Sequence, residues 1–187
     1  MPRGSQVESS TAAERRFDLL FNSHHDIVFR YCIRRLGIDE ADDAAADVFA
    51  VAWRRLEDIP SEDHARAWLI GVAYKVVGNR YRARRRQLRL WKRLASAEDD
   101  GREHREARDL GDPELSSLYT ALLGLSETDQ ELLRLSAWED LSRIEIAHVL
   151  DINENAVDQR LHRARSRLKE RLARPEDSSN QPREART

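Results

Sequence analysis

Apolar residues recur through most of this chain at steps of three and four, the period of helices with one buried face rather than of strands. The first such run is Phe17, Leu20, Phe21, Ile27, Val28, Tyr31 and Leu36. Thr11 and Glu14 before it have the spacing of a capping box, Asn22–Ser23 offers a break, and Gly37 offers a stop. Asp39 is placed to cap a second helix whose apolar face is Ala41, Ala45, Val48, Phe49, Ala52 and Leu56, with Asp43, Asp47, Arg54 and Arg55 opposite. A loop around Pro60 follows. Ser61 is placed to cap a third helix with the stripe Ala65, Leu69, Val72 and Val76. That stripe fades after Tyr81 while arginines multiply, and nothing stops the helix before Leu94. Residues 96–112 contain almost nothing to bury and read as a flexible acidic linker.

Helical spacing then resumes. Asp112-Pro113 is an N-cap followed by proline at the first helical position. Leu115, Leu118, Leu122 and Leu123 follow, and Ser126 opens a helix with Leu132, Leu133 and Leu135 inside. Ser142 with Glu145 forms a second capping box, Asp151-Ile152-Asn153 a tight turn, and Asn153 caps a last helix with the stripe Val157, Leu161, Ala164, Leu168 and Leu172. The expectation is an all-α protein of two small helical domains, 11–95 and 113–173, joined by the linker 96–112. Residues 1–10 and 174–187 are expected to be disordered.

Composition narrows this further. Seven Gly and five Pro in 187 residues leave few turn-formers, which favours helices. The net charge of −2 hides segregation. Nine basic residues and no acidic one lie between Lys75 and Ala95, whereas acids gather at Asp39–Asp47 and Glu98–Glu114. Opposed patches suggest partners of opposite charge. Cys32 is the single cysteine, which excludes an internal disulfide and a multi-cysteine zinc site. Its apolar neighbours mark it as a buried thiol. No apolar run approaches the ~20 residues of a membrane span, so no membrane insertion and a cytoplasmic location are expected.

The short helix after Ser142, the three-residue turn and the arginine-rich helix after Asn153 have the pattern of a helix-turn-helix, whose second helix can enter a major groove. Ile144, Ala147 and Leu150 are expected to meet Ile152, Val157 and Leu161 in its core. Near the start of the second helix, Asn155, Asp158, Gln159 and Arg160 are the candidates for base edges. Arg163 and Arg167 are better placed for phosphates. The alternative is a solvated helix face in an ordinary bundle. The caps on both sides of the turn and the small Ala147 at the crossing favour DNA.

With those residues in place, the stretch from Leu141 to Leu168, and above all Arg160-Leu-His-Arg-Ala-Arg-Ser-Arg-Leu168, resembles region 4 of extracytoplasmic-function (ECF, group 4) RNA polymerase sigma factors. Asp43-Ala-Ala-Ala-Asp-Val-Phe-Ala-Val-Ala-Trp-Arg-Arg55 resembles region 2.2. Ala67-Trp-Leu-Ile-Gly-Val-Ala73, with Asn79-Arg80 and the arginine run, resembles regions 2.3 and 2.4. The resemblance implies a protein that binds core RNA polymerase and directs it to promoters, not a catalyst. Asp43, Asp47, Phe49, Trp53 and Arg54 would dock on the clamp helices of the largest polymerase subunit, and region 4 would touch the flap of the second-largest.

The same resemblance assigns the −10 element to the loop Glu57–His64 and to His64, Trp68, Lys75, Asn79, Arg80, Arg82, Arg84 and Arg85, with a base flipped from the non-template strand captured in that loop. The −35 element falls to Asn155, Asp158, Gln159, Arg160, Arg163 and Arg167. An anti-sigma factor is a candidate partner, and a nucleoid-associated cytoplasmic location follows. Ala46, Tyr74, Lys75 and Asn79 depart from common family residues, as does Asp151, which stands where glycine is usual. Aspartate tolerates the left-handed conformation a turn demands there. The linker acids Glu98, Asp99, Asp100, Glu103 and Glu106 have the charge to mimic an RNA backbone in the polymerase cleft.

No other constellation competes. His24 and His25 point about 100° apart on a helix and do not chelate together. The acids of 39–47 lack a glycine-bearing calcium loop. Neither a phosphate-binding glycine loop nor a nucleophile motif is present, and no cofactor or metal is expected. The alternatives are a stand-alone helix-turn-helix regulator and a sigma-like protein-binding decoy acting through Asp39–Asp47.

Overall fold

The computed structural model describes residues 4–60, 62–94 and 112–173. All regular structure among them is helical: α1 (Gly4–Leu36), α2 (Ile38–Arg54), a single 3₁₀ turn (Leu56–Asp58), α3 (Glu62–Leu94), α4 (Pro113–Leu123), α5 (Glu127–Ala137), α6 (Arg143–Leu150) and α7 (Glu154–Ala173). Ser61, the linker up to Gly111 and the tail after Ala173, each assigned a role from sequence, lie outside the described residues, as do the side chains of 88–94.

α1 starts at Gly4 and runs unbroken through Asn22–Ser23. The disorder expected for 1–10 is therefore corrected for 4–10, and Thr11 lies inside the helix instead of capping it. Once a helix is nucleated, each added residue contributes a hydrogen bond, so a capping box inside a good helical sequence does not oblige a start. Gly37, at φ 82°, ends α1 as expected, and its N–H reaches the Ile33 carbonyl at 2.9 Å. Gly37 also precedes α2 directly, so Asp39 falls in the first turn of α2, where an acid still favours the helix dipole.

The core of this part is Val28, Tyr31 and Cys32 from α1, the row Ala41, Ala44, Ala45, Val48, Phe49 and Ala52 from α2, and Ala65, Leu69, Ile70, Ala73 and Val77 from α3. The alanines of α2 let its neighbours approach closely. Burying Leu69 and Ile70 fully is worth roughly 1.5–3 kcal/mol each. The α3 stripe is rotated from the expected one: Val72 and Val76 are half-buried, and Ala73 and Val77 take the inner positions. Where apolar residues fill adjacent positions, the partner helix decides the face. The stripe ends as expected, since residues 82–87 are all exposed.

The second half follows its predicted caps. Asp112 Oδ1 accepts from the Glu114 N–H at 2.9 Å, Ser126 Oγ from Asp129 at 3.2 Å, and Asn153 Oδ1 from Ala156 at 2.8 Å. The Ser142–Glu145 capping box is formed in both directions, at 3.3 and 2.7 Å. Asp151 adopts φ 54°, ψ 50°, and the next N–H, on Ile152, returns to the Ala147 carbonyl at 3.0 Å, closing α6. Asp140 is a second left-handed aspartate, at φ 48°, before α6.

The described residues form two compact units. One holds the described residues of 1–99 with Leu135–Val157. The other holds 112–134 with 158–173. α6 falls with the first unit because it packs on α3. The two helices meet at Gly71 of α3, where an added Cβ would lie in ordinary van der Waals contact, 3.9 Å from Val149 Cα. This packing also corrects the helix-turn-helix core. Ile144 is 63% exposed, while Ile146 and Val149 are buried beside Ala147.

In the second unit Gln130 ties the α4–α5 turn, its amide donating to the carbonyls of Leu123 (3.2 Å) and Leu125 (3.0 Å). Leu122, Leu125, Leu132 and Ala164 are buried there, whereas Leu115 and Leu118 of the expected apolar face remain largely exposed.

Candidate nucleic-acid interface

α3 advances about 100° and 1.5 Å per residue. On that wheel His64, Trp68, Lys75, Asn79 and Arg82 fall within roughly 60° of one another, a stripe about 27 Å long. His64, Lys75, Asn79 and Arg82 are exposed and Trp68 is half-buried. The Arg82 guanidinium donates to Asn79 Oδ1 at 2.6 Å, and Arg55 sits 5.7 Å over the Trp68 ring. The other sequence-selected arginines leave this stripe. Arg80 turns toward α2 and pairs with Asp47 at 2.6 Å, while Arg84 and Arg85 are exposed on other faces. The loop before α3 is pinned by buried Leu56 and Ile59, by Arg16 donating to the Ile59 carbonyl at 2.8 Å, and by the Arg55–Asp58 pair at 2.8 Å.

On α2, Asp43, Asp47, Trp53 and Arg54 are exposed and Phe49 is not. Phe49 is 4% exposed, packed against Phe21 at 4.7 Å and edge-on to Phe17 at 6.4 Å. Phe49 is thus a core residue, whereas Trp53 stands edge-on to Phe17 at 5.1 Å with 47% of its surface exposed.

On α7, Asn155, Asp158, Gln159 and Arg163 share a face about 140° wide. His162, which was left out of the candidate set, lies at its centre and is exposed. Its position follows from helical spacing alone and was available in the sequence. Arg160 is half-buried on the flank, and Arg163 bonds back to the Gln159 carbonyl at 3.1 Å. Arg167 is committed inside the second unit, where it pairs at 2.6 Å with Asp129, a carboxylate whose side chain is only 10% exposed.

A further group was not legible in sequence. Glu139 is wholly buried, and its carboxylate accepts from Arg34 (2.6 Å) and Arg35 (3.0 Å) of α1. Arg66 of α3 donates to the Glu139 carbonyl. Burial pushes the Cys32 thiol up to about 11, partly offset by the positive charges of Arg35 and Arg80.

A family model described as Sigma-70 region 2 matches residues 20–87, and one described as Sigma-70, region 4 matches residues 115–168. Together they cover more than half of the chain, in the order of the expected regions, with 27 residues between them (88–114). The chain belongs to the sigma-70 family, in its ECF group. This sigma factor is 29% identical over 174 residues to the RNA polymerase sigma factor CnrH of Cupriavidus metallidurans, a match spanning 87% of this chain and 89% of CnrH. It is 29% identical over 168 residues to the ECF sigma factor SigL of Mycobacterium tuberculosis, spanning 88% and 92%.

Among solved structures, CnrH in complex with the cytosolic domain of CnrY matches with a TM-score of 0.59 at 26% identity, covering 89% of this chain and 95% of that one. The sigma factor RpoE with the anti-sigma factor NepR from Bartonella quintana matches at 0.62 and 20% identity, over 83% and 96%, and shows the shared fold. Sigma factors are transcription initiation factors rather than enzymes. No helix among the described residues is long and apolar enough to cross a membrane.

Proposed function

We propose that this sigma factor docks on core RNA polymerase through the exposed end of α2 and directs it to promoters through two DNA-facing stripes. The observation that carries this is the α3 stripe. His64, Trp68, Lys75, Asn79 and Arg82 line one face of a helix whose final turns are basic, and no acid follows until Glu98. A row of cations attracts a polyanion, and a half-exposed indole among them supplies a surface on which an unstacked base rests. The −10 element is assigned to this stripe and to the pinned loop that precedes it.

The −35 element is assigned to Asn155, Asp158, Gln159 and His162 of α7, with Arg163 on phosphate. Amide side chains at a helix start in a major groove read adenine bidentately, and each good bidentate contact discriminates by about 1–3 kcal/mol. Neither stripe needs to bind tightly alone, because polymerase holds both at once and converts two weak contacts into one strong one. Docking falls to Asp43, Trp53 and Arg54, with Asp47 shared with Arg80. The clamp helices of the largest polymerase subunit and the flap of the second-largest are the proposed surfaces. By likeness to CnrH and RpoE, solved with CnrY and NepR, a regulatory protein partner is also proposed, acting in the cytoplasm where polymerase works.

Co-elution with core polymerase tests the docking. Asp43 is exposed and makes no hydrogen bond or ion pair among the described residues, so Asp43→Lys should weaken the complex at least tenfold while leaving the melting temperature unchanged. Co-elution unaffected by Asp43→Lys and by Trp53→Ala together would remove α2 as the docking face.

A further inference from the structure

We propose that Arg55 is a further promoter contact. With Trp68 it grips one unstacked nucleotide of the −10 element, the indole taking the base and the guanidinium the phosphate beside it. The inference deepens the assignment of the −10 element to the α3 stripe and rests on that assignment.

Arg55 belongs to neither set read from the sequence, where it stands next to Arg54 on the polar side of α2. The structure gives it a different place. It is the C-cap of α2, at φ −121° and ψ 30°, outside the helical region, and its side chain reaches α3. There the guanidinium carbon lies 5.7 Å over the ring of Trp68, which is half-buried. The same guanidinium donates from Nε to Asp58 Oδ2 at 2.8 Å, in the 3₁₀ turn that leads into the −10 loop. Asp58 thus holds the planar group by one edge. The terminal nitrogens, which carry the rest of its donors, have no acceptor among the described residues. Both side chains of the pair are 56% exposed, so the guanidinium is open to a ligand. An exposed pair of this kind adds little to stability, and the fold does not need Arg55 in this position.

The two groups complement each other chemically. A guanidinium lies flat on an aromatic face and also presents parallel donors that match a phosphate. An indole offers a surface to any base, provided the base has left its own stack. Arg55 alone would take any phosphate, and Trp68 alone would take a base without its charge. Together they recognise a nucleotide whose base is out of the duplex. Asp58 offsets part of the Arg55 charge, so the phosphate contact is weak without the base. Lys75 lies seven residues beyond Trp68, about 10.5 Å along α3, and gives the backbone its next cation.

The test uses holoenzyme and a fork probe made from a promoter selected by run-off transcription, duplex upstream and single-stranded along the non-template −10 element. An abasic nucleotide is walked through the −10 positions, and a neutral methylphosphonate through its linkages. At one position, loss of the base should weaken binding of the unsubstituted protein about fivefold and leave Trp68→Ala unaffected. The methylphosphonate beside that position should weaken the unsubstituted protein about fivefold and Arg55→Ala not at all. Arg55→Ala should also lower the slope of log affinity against log salt by about 0.7, the value of one phosphate on a single strand, and Arg55→Lys should restore that slope. The melting temperature of Arg55→Ala and its co-elution with core polymerase should be unchanged.

Equal methylphosphonate penalties in Arg55→Ala and the unsubstituted protein, at a position where Trp68→Ala cancels loss of the base, would overturn the grip and leave the −10 assignment standing. If Trp68→Ala cancels loss of the base at no position, the −10 assignment falls and the grip with it. Loss of co-elution in folded Arg55→Ala would move the residue to the docking face beside Arg54, which also overturns the grip.

Discussion

Arg167 has two demands on it, and they separate by measurement. Its guanidinium is 2.6 Å from Asp129, whose side chain is 10% exposed and whose own N–H is held by Ser126. Arg167→Ala strands that carboxylate. Exposed pairs are worth about 0–1 kcal/mol, and stranding one member of a buried pair costs about 3–5 kcal/mol. Arg167 is itself 57% exposed, so solvent screens the pair and the cost falls between those limits, at about 1–2 kcal/mol. Arg163 is exposed and, among the described residues, bonds only to a carbonyl of its own helix, so Arg163→Ala should change stability by less than about 0.5 kcal/mol. Thermal melts of the full chain compare the two, and the cycle Arg167→Ala with Asp129→Asn isolates the pair. Equal stability of the two alanine variants, or no coupling in the cycle, would refute the structural role of Arg167 and return it to phosphate binding.

Other outcomes follow from the same geometry. Arg163→Ala should lower the slope of log affinity against log salt for holoenzyme on promoter DNA by about 0.9, one phosphate contact, across promoters alike. Asp151→Gly should raise the melting temperature slightly, since glycine occupies φ 54° without a Cβ penalty, whereas Asp151→Val should cost about 1–2 kcal/mol of stability and lower it. Ser142→Ala removes one half of a formed capping box and should cost about 1 kcal/mol in urea unfolding. The Cys32 thiol, raised from 9.0 to about 11, ionises in the unfolded chain first, so stability should fall as pH rises from about 9 to about 11. Cys32→Ala should flatten that part of the profile, and thiol reagents at pH 8 should react with Cys32 only on unfolding.

Caps and turns were legible in the sequence because they are local. Asp112, Ser126, Ser142, Asp151 and Asn153 each act within a few residues, and each was found in its expected role. Faces were less legible where apolar residues are adjacent. In α6, Ile144 and Ile146 are equally hydrophobic, and the packing of α6 on α3 decides between them. The same holds for Val72 against Ala73 in α3. Arg80 and Arg167 read as DNA ligands from their helices alone, because their acidic partners, Asp47 and Asp129, stand 33 and 38 residues away. Glu139 carries no local signal, since Arg34 and Arg35 are 105 and 104 residues distant. Of the residues expected to dock, Trp53 is presented to solvent, whereas Phe49, chosen with it, is buried.

Run-off transcription with purified chain and core polymerase on a promoter library is the most direct measurement. A sigma factor gives transcripts that start at a defined subset of promoters only when both components are present, and Trp68→Ala with Lys75→Ala lowers their yield while duplex binding through α7 persists. Tight duplex binding by the chain alone, with no promoter-dependent transcript at any polymerase concentration, would contradict that function and identify a stand-alone helix-turn-helix regulator.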